Sequence, residues 1–194
     1  MQNLLPYGGE VFYFPQFLSP HQANLYYEVF FHKVKWQQPE IQLFGKKYLV
    51  PRLTAWYGDP YATYYYSGLK NEPLPWFEEL LELKKVLQHF CNTSFNSVLI
   101  NLYRHEKDSM GWHADDEKEL GKNPIIASVS LGAKRKFVLR NKQNKSQRVS
   151  IELENGSLLW MKGECQHFWE HAVPKQNKPL NPRINLTFRN ILMF

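Results

Sequence analysis

The sequence predicts a mainly β protein in which helices come early and strands come late. From residue 97 onward, short segments rich in β-branched and aromatic residues are separated by turn signals such as Asn155-Gly156. Before residue 97, two segments carry apolar residues at helical spacing. Closely spaced strands with few helices indicate a double-stranded β-helix, or jelly roll, whose interior can hold a small ligand.

The two helices have recognisable starts. Ser19-Pro20 combines a favourable N-cap with proline at the first helical position, and the helix is expected to reach about His32. A second helix is expected to begin at Pro75. Its predicted buried stripe, spaced by three and four residues, is Trp76, Leu80, Leu83, Leu87 and Phe90. Both helices are expected to brace one sheet of the jelly roll from outside.

The strands are predicted in two groups. Residues 41–60 form short strands with a turn at Phe44-Gly45. The jelly-roll strands are expected at 97–104, 124–131, 135–140, 148–153, 157–162, 167–173 and 183–190. We expect one domain over residues 1–194, with about 1–96 as an N-terminal region and about 97–194 as the core.

Composition narrows the class of protein. The formal net charge of +6 suits a polyanionic partner, although an unrelated basic soluble protein would show the same charge. The two cysteines, Cys91 and Cys165, form no CxxC pair, which excludes a disulfide framework and a cysteine-based zinc site. Neither a signal peptide nor a membrane span is visible, so we expect a cytoplasmic protein that does not bind membranes.

A dispersed set of metal ligands is the main chemical signal. His113-Ala114-Asp115 places two ligand side chains on one face of an extended chain, and His171 follows downstream. Two imidazoles and one carboxylate can occupy one face of an octahedral Fe(II) and leave positions for a cosubstrate and dioxygen. Two alternatives stay open: the triplet could be an ordinary surface loop, and His167 competes with His171.

The segment Arg183 to Arg189 carries the second signal. Arg183, Asn185, Thr187 and Arg189 alternate with apolar residues, so one face of the strand is polar and cationic. An edge strand with its polar face in water would look the same. If the face is buried, it needs an anion, and a dicarboxylate such as 2-oxoglutarate fits a guanidinium. Asn101 and Tyr103 share a face and could complete that pocket.

Taken in order, these motifs resemble the AlkB family of Fe(II)/2-oxoglutarate dioxygenases, which repair alkylated nucleobases. The resemblance covers about residues 40–194 and is greatest to the subgroup that includes the nuclear duplex-DNA demethylase. It also rests on Leu43-Phe44-Gly45-Lys46-Lys47, Val50-Pro51-Arg52, Tyr57-Gly58-Asp59 and Tyr64-Tyr65-Tyr66-Ser67-Gly68-Leu69. It implies a jelly roll with an N-terminal nucleotide-recognition elaboration. Because no long nuclear extension is visible, we expect a bacterial-type protein.

The resemblance also implies roles for individual residues. The metal ligands would be His113, Asp115 and His171. Arg183 would bind the distal carboxylate of 2-oxoglutarate, and the residues assisting it would be Asn101, Tyr103, Asn185, Thr187 and Arg189. The substrate-binding residues would be Phe44, Gly45, Lys46, Tyr64, Tyr66, Asp116 and Glu117, with Phe44 at the tip of a hairpin that enters the duplex.

The implied reaction is demethylation of N-alkylated bases, of the 1-methyladenine and 3-methylcytosine type, in duplex and single-stranded DNA. It uses Fe(II), O2 and 2-oxoglutarate and releases formaldehyde, succinate and CO2. The basic run from Lys134 to Arg148 favours a nucleic acid, although a solvated hairpin has the same composition. RNA demethylation, protein hydroxylation and a non-catalytic jelly-roll binding module are the alternatives. A monomer is expected.

Overall fold

A computed structural model of the protein describes residues 2–43, 45–62, 64–66 and 69–192, with only the backbone described for 43, 64–66 and 69–71. The helices are α1 (Pro20–Lys33), α2 (Glu78–Cys91) and α3 (Cys165–Phe168). The strands before α2 are β1 (Glu10–Phe14), β2 (Glu40–Leu43), β3 (Lys46–Leu49), β4 (Leu53–Gly58), β5 (Tyr64–Tyr66) and β6 (Leu69–Asn71). Those after it are β7 (Ser97–Tyr103), β8 (Met110–His113), β9 (Ile126–Gly132), β10 (Arg135–Asn141), β11 (Arg148–Leu153), β12 (Ser157–Lys162), β13 (Trp169–Val173) and β14 (Arg183–Arg189).

Two antiparallel sheets form the body of the protein. The six-stranded sheet has the order β1-β12-β9-β14-β7-β4, and the four-stranded sheet has the order β11-β10-β13-β8. Two hairpins, β2–β3 and β5–β6, stand apart from both sheets. The predicted jelly roll with an N-terminal elaboration is thereby confirmed.

Each face of the six-stranded sheet buries apolar side chains. Its inner face packs against the four-stranded sheet through residues that include Ile126, Leu159, Phe137 and Leu139. Its outer face packs beneath α1 and α2 through Ile184, Leu186 and Phe188, none of which is exposed. The helices therefore brace this sheet from outside, as predicted, and they leave the inner face for a site.

The predicted helices form, with corrections at their ends and faces. Ser19 caps α1 through a capping box with Gln22, but Leu25 is exposed, and the buried residues of the helix are Ala23 and Phe30. Helix α2 begins at Glu78 rather than Pro75. Its buried stripe ends on Cys91, whereas Phe90 is 37% exposed and meets the rings of Phe14 and Phe17 at the surface.

One predicted strand was partly wrong, and two observed strands were not predicted. The segment 167–173 is split, because Cys165–Phe168 forms a short helix before β13 begins at Trp169. Strand β1 was not predicted, since its rings cover both faces of an edge strand and leave no alternation. Strand β8 was not predicted either, since Gly111 and neighbouring polar residues mask it. Within the described part of the chain, no helix is long and apolar enough to cross a membrane.

Candidate metal centre

Strand pairing brings the three predicted metal ligands together. Strands β8 and β13 are antiparallel neighbours, and their register sets His113 directly opposite His171. Asp115 lies two residues beyond the end of β8, where its backbone N–H donates to Gln166 Oε1 at 2.9 Å. One ligand atom from each of His113, Asp115 and His171 lies within 4.8 Å of the other two. His167 takes no part: its ring is bonded to Asn123 Oδ1 at 3.0 Å and to the Lys122 carbonyl.

The orientation of the side chains leaves ligand atoms facing one another. His113 Nδ1 donates to the Gly111 carbonyl at 2.9 Å, which leaves its Nε2 as an acceptor. His171 Nε2 lies 3.9 Å from Asp115 Oδ2, and that carboxylate oxygen has no hydrogen-bond partner among the described residues. The two imidazole rings are 4.2 Å apart, and Phe137 stacks on His171.

Electrostatics favour the metal-binding forms of His171 and Asp115. Burial lowers the pKa of His171 to about 3, so its imidazole is neutral. Burial alone would raise the pKa of Asp115, but nearby positive charge, chiefly that of Arg189, holds the pKa below its ordinary value. A neutral imidazole and an ionised carboxylate are the forms that bind a divalent cation.

Arg189 is placed differently from its predicted role. Its Nη2 donates to Asp115 Oδ1 at 2.5 Å, which fixes the carboxylate with Oδ2 turned toward the histidines. Arg189 therefore positions a metal ligand, although it also lines the cavity that the other predicted cosubstrate residues share. Such partners orient ligands and tune metal affinity.

A cavity of about 120 Å³ extends from the triad between the two sheets. All three metal ligands line it, and so do the predicted cosubstrate residues Asn101, Tyr103, Asn185, Thr187 and Arg189. Its apolar walls are Leu99, Met110, Phe137, Met161 and Val173. The cavity thus joins a cation site to a row of polar donors, which is the arrangement that a small, metal-chelating anion requires.

Arg183 is not among the residues that line the cavity, but it lies next to Tyr103, which does line it. Arg183 is 1% exposed, and its guanidinium carbon lies 5.3 Å from the centre of the Tyr103 ring. Burial lowers its pKa to about 10, which still leaves the group charged at neutral pH. Nη2 donates to Ser130 Oγ at 2.8 Å, but Nε and Nη1 have no hydrogen-bond partner in the described structure. A buried guanidinium with two unsatisfied donors fits a carboxylate.

Strand β14 is central rather than an edge. It pairs with β7 on one side and β9 on the other, so its polar face lies inside the jelly roll. Asn185 Nδ2 donates to Ser128 Oγ at 2.7 Å, and Thr187 Oγ1 donates to Asn185 Oδ1. The alternative of a solvent-facing edge strand is excluded.

The predicted substrate residues are only partly described. Glu117 lines the metal cavity, and burial raises its pKa. Asp116 instead points outward and pairs with Lys142 at 2.9 Å. Gly45 has a φ of +77°, and Lys46 is exposed at the start of β3. Phe44 lies outside the described residues, and only the backbone of Tyr64 and Tyr66, in β5, is described.

Several residues of the site were missed. Ser128 and Ser130 alternate in β9 and face β14, a pattern that period-two reading could have found. Arg135 was counted in the basic run, but it is fully buried and donates to the carbonyls of His105, Asp108 and Pro174. Gln166 carried no sequence signal, because a lone glutamine in a short helix is unremarkable.

Comparison with known proteins agrees with this geometry. The family described as the 2OG-Fe(II) oxygenase superfamily matches residues 10–189. Alpha-ketoglutarate-dependent dioxygenase alkB homolog 3 from Homo sapiens is 42% identical, over 97% of this chain and 69% of its own length. The Bos taurus protein of that name is 44% identical, over 91% of this chain and 64% of its own length. DNA oxidative demethylase ALKBH2 from Homo sapiens is 44% identical, over 79% of this chain and 61% of its own length.

The chain thus spans about two thirds of the length of the curated relatives it matches. The solved structure of OsALKBH1 shares the fold with a TM-score of 0.64 at 19% identity, covering 96% of this chain and 99% of that one. Iron(II) and 2-oxoglutarate fit the residues present, since Asp115 Oδ2 and two Arg183 nitrogens are buried without partners. This chain belongs to the AlkB family of Fe(II)/2-oxoglutarate dioxygenases, within the 2OG-Fe(II) oxygenase superfamily.

Proposed function

We propose that this protein removes methyl groups from N-alkylated bases in DNA, of the 1-methyladenine and 3-methylcytosine type. The observation that carries the proposal is the single cavity that His113, Asp115 and His171 share with the polar face of β14. The names of its relatives, which include a DNA oxidative demethylase, support the choice of a nucleic-acid substrate. An intact metal triad and a buried, unsatisfied Arg183 count against a non-catalytic binding module.

Different residues of the cavity would bind the cosubstrate, exclude water and contact the base. Bound iron(II), with O2 and 2-oxoglutarate, supplies the hydroxylation of the N-methyl group, whose carbon then leaves as formaldehyde while succinate and CO2 form. Arg183 and the Asn101–Tyr103 face bind the cosubstrate. The apolar walls, Phe137 and Met161 among them, exclude water from the cavity. Glu117 lines the same cavity and is placed to contact the base.

The direct test is formaldehyde release from methylated oligonucleotides. We expect release from single-stranded and duplex DNA carrying 1-methyladenine or 3-methylcytosine, and we expect it to require both iron(II) and 2-oxoglutarate. Methylated RNA of the same sequence and an unmodified oligonucleotide are the comparison substrates. Release from the RNA alone would replace DNA by RNA in the proposal. Turnover with none of the nucleic acids would leave protein hydroxylation as the alternative.

Basic side chains reach the surface beside the metal centre. In the loop between β10 and β11, Lys142 pairs with Asp116, next to the ligand Asp115, and Lys145 pairs with Glu170, next to His171. These pairs hold the loop near the site but neutralise its lysines. Lys134 and Lys136 remain exposed, whereas Arg135 is buried. The basic run therefore offers phosphate fewer cations than its composition indicates.

An open groove on the outer face of the four-stranded sheet carries further basic side chains. It encloses about 420 Å³, and its lining includes Lys136, Arg148, Lys175 and the exposed Trp112. Cations beside an exposed aromatic ring suit a nucleic-acid strand, because the lysines and arginine meet phosphates and the ring stacks on a base. We include this groove in the proposed DNA path.

Salt dependence tests that path. Replacing Lys136, Arg148 and Lys175 together by alanine should weaken DNA binding and reduce the slope of log affinity against log salt by about 2, at roughly 0.7 per lost contact to a single strand. Fluorescence anisotropy at several salt concentrations gives the slope. The matched control replaces Lys33, Lys35 and Lys85, which lie on the opposite, helical side of the protein. Equal slopes for the groove variant and the wild type would remove the groove from the path.

The β2–β3 hairpin supports a role in base flipping. All four residues of β3 are exposed, including Tyr48 and Leu49, and the hairpin joins neither main sheet. Its last described pair is Leu43 with Lys46. An exposed apolar hairpin beside lysines suits a wedge that fills the gap left by a flipped base. The alternative is that Phe44 belongs to the core.

We expect Phe44→Ala to lose about tenfold or more of its activity on methylated duplex DNA, because base–aromatic stacking is worth roughly 1–3 kcal/mol. Activity on the same lesion in a single strand should change much less, since little unstacking energy has to be offset there. Initial rates on both substrates and one melting curve decide the matter. Tyr48→Ala, on the same hairpin but away from the tip, is the control. Equal losses on the two substrates would contradict the wedge.

A further inference from the structure

A cluster of polar and aromatic side chains joins the two ends of the chain segment that carries the β5–β6 hairpin. We define the Asp59 cluster as Asp59, Tyr61, Trp76 and Lys84. Asp59 Oδ1 accepts a hydrogen bond from Trp76 Nε1 at 2.7 Å and another from Lys84 Nζ at 3.2 Å. Its Oδ2 accepts one from the Tyr61 hydroxyl at 2.9 Å. One carboxylate thus bonds to residues before the hairpin, after it and on helix α2.

The backbone closes the same loop. Gly58 N–H donates to the Leu74 carbonyl at 3.0 Å, and Leu74 N–H donates to the Trp56 carbonyl at 2.9 Å. Strands β5 and β6 pair with each other from Tyr64–Asn71 to Tyr66–Leu69 and join neither main sheet. Among the described residues, these backbone bonds and the Asp59 cluster hold the base of the hairpin to β4 and α2.

The cluster is itself fixed to the core. Lys84 Nζ lies 4.5 Å from the centre of the Trp76 ring, so its charge meets both the carboxylate and the aromatic face. The Trp76 ring stacks on Phe188 of β14, the strand that carries Arg189. The Lys84 side chain is 13% exposed and that of Asp59 is 23% exposed. A pair so shielded is worth more than a surface ion pair.

We propose that Asp59 and Lys84 are positioning residues that fix the base of the β5–β6 hairpin to helix α2 and thereby determine affinity for the nucleic-acid base. The effect on the base rests on the proposed function, in which Tyr64 and Tyr66 contact the substrate. The positional effect does not rest on it. The side-chain partners of Asp59 are Tyr61, Trp76 and Lys84, none of which lines the metal cavity, so we expect 2-oxoglutarate binding to stay unchanged.

The first measurement is amide hydrogen exchange, which needs no substrate. Asp59→Asn keeps an oxygen acceptor for Trp76 and turns an NH2 donor toward the Tyr61 hydroxyl, which can accept it, but removes the charge that Lys84 pairs with. Because charge-assisted hydrogen bonds are the stronger kind, we expect the β5–β6 amides to exchange about tenfold faster, which corresponds to about 1.4 kcal/mol of local opening free energy. Amides of β7, β9 and β14 should exchange at their wild-type rates.

Lys84→Met provides a second variant that removes the charge and keeps most of the side-chain volume. It should reproduce the local effect, and Lys84→Arg should restore wild-type exchange because it keeps the cation over Trp76. Lys85→Met, which removes an exposed lysine one position along α2, is the matched control and should behave as wild type. Unchanged exchange of β5–β6 in both Asp59→Asn and Lys84→Met would overturn the proposal. Equal acceleration across both sheets would overturn it too, since the role would then be general stability.

Kinetics provide the second measurement. With a methylated oligonucleotide, Asp59→Asn and Lys84→Met should raise KM about fivefold to tenfold while kcat and the half-saturation by 2-oxoglutarate stay near wild type. A fall in kcat with unchanged KM would contradict the positioning role. If the wild-type protein releases formaldehyde from no nucleic acid, the proposed function fails, and the exchange experiment still decides whether the Asp59 cluster fixes the hairpin.

Discussion

His171→Ala is expected to abolish turnover, because it removes one of three ligands that lie within 4.8 Å of one another. The residue is 5% exposed and its Nε2 faces Asp115 Oδ2, so a solvent molecule cannot reproduce its geometry. His113→Ala should have the same effect. Binding of manganese(II), a redox-inert substitute, should fall below detection in a titration by calorimetry, which separates loss of metal from loss of a later step.

Asp115, the third ligand, is better tested by a conservative substitution than by alanine. Asp115→Ala would leave Arg189 without its partner in a buried setting, and an unpaired buried charge costs stability of its own. Asp115→Asn keeps an acceptor for Arg189 and removes the ligand charge, so metal affinity should fall with a smaller change in melting temperature. Thermal unfolding of the two variants side by side distinguishes these effects.

His167→Ala is the matched control for both histidine ligands. His167 lies four residues before His171, but its ring bonds to Asn123 and the Lys122 carbonyl at the surface. Activity and manganese binding should therefore stay close to wild type. An inactive His167→Ala together with an active His171→Ala would show that the wrong histidine has been assigned to the metal.

Arg183→Lys is expected to raise the half-saturation concentration of 2-oxoglutarate by about tenfold or more, since a hydrogen bond to a charged group is worth about 1.5–3 kcal/mol. An ammonium keeps the charge but cannot make two parallel bonds to a carboxylate. The two buried, unsatisfied nitrogens of Arg183 are the donors that such a pair would use. A titration of 2-oxoglutarate against formaldehyde release gives the value.

Arg104→Lys is the control for this change. Arg104 already pairs with a carboxylate, that of Asp108, through Nε and Nη2, so its guanidinium needs no further anionic partner. Its replacement should leave the 2-oxoglutarate requirement unchanged. An unaltered half-saturation concentration in Arg183→Lys would remove Arg183 from cosubstrate binding and leave its unsatisfied donors unexplained.

Local chemistry explains why much of the fold could be read from the sequence. Ser19-Pro20 begins a helix because a capping hydroxyl and a fixed φ act on their own neighbours. The alternation in Arg183–Arg189 predicts a strand because successive side chains point to opposite faces. Where the pattern misled, a longer-range contact was the reason: Phe90 leaves the buried stripe of α2 because it meets Phe14, from β1, at the surface.

Residue identity and local spacing were enough to predict most helices and strands, the types of metal ligand and the family. The tertiary structure was needed to choose between the two histidines, since strand register pairs His113 with His171 and turns His167 to the surface. It also decided that β14 is central, which buries Arg183, and that Arg189 holds Asp115. The same packing buries Arg135 and brings Asp59 to Lys84. Contacts of this kind join residues far apart in the chain, and no local spacing encodes them.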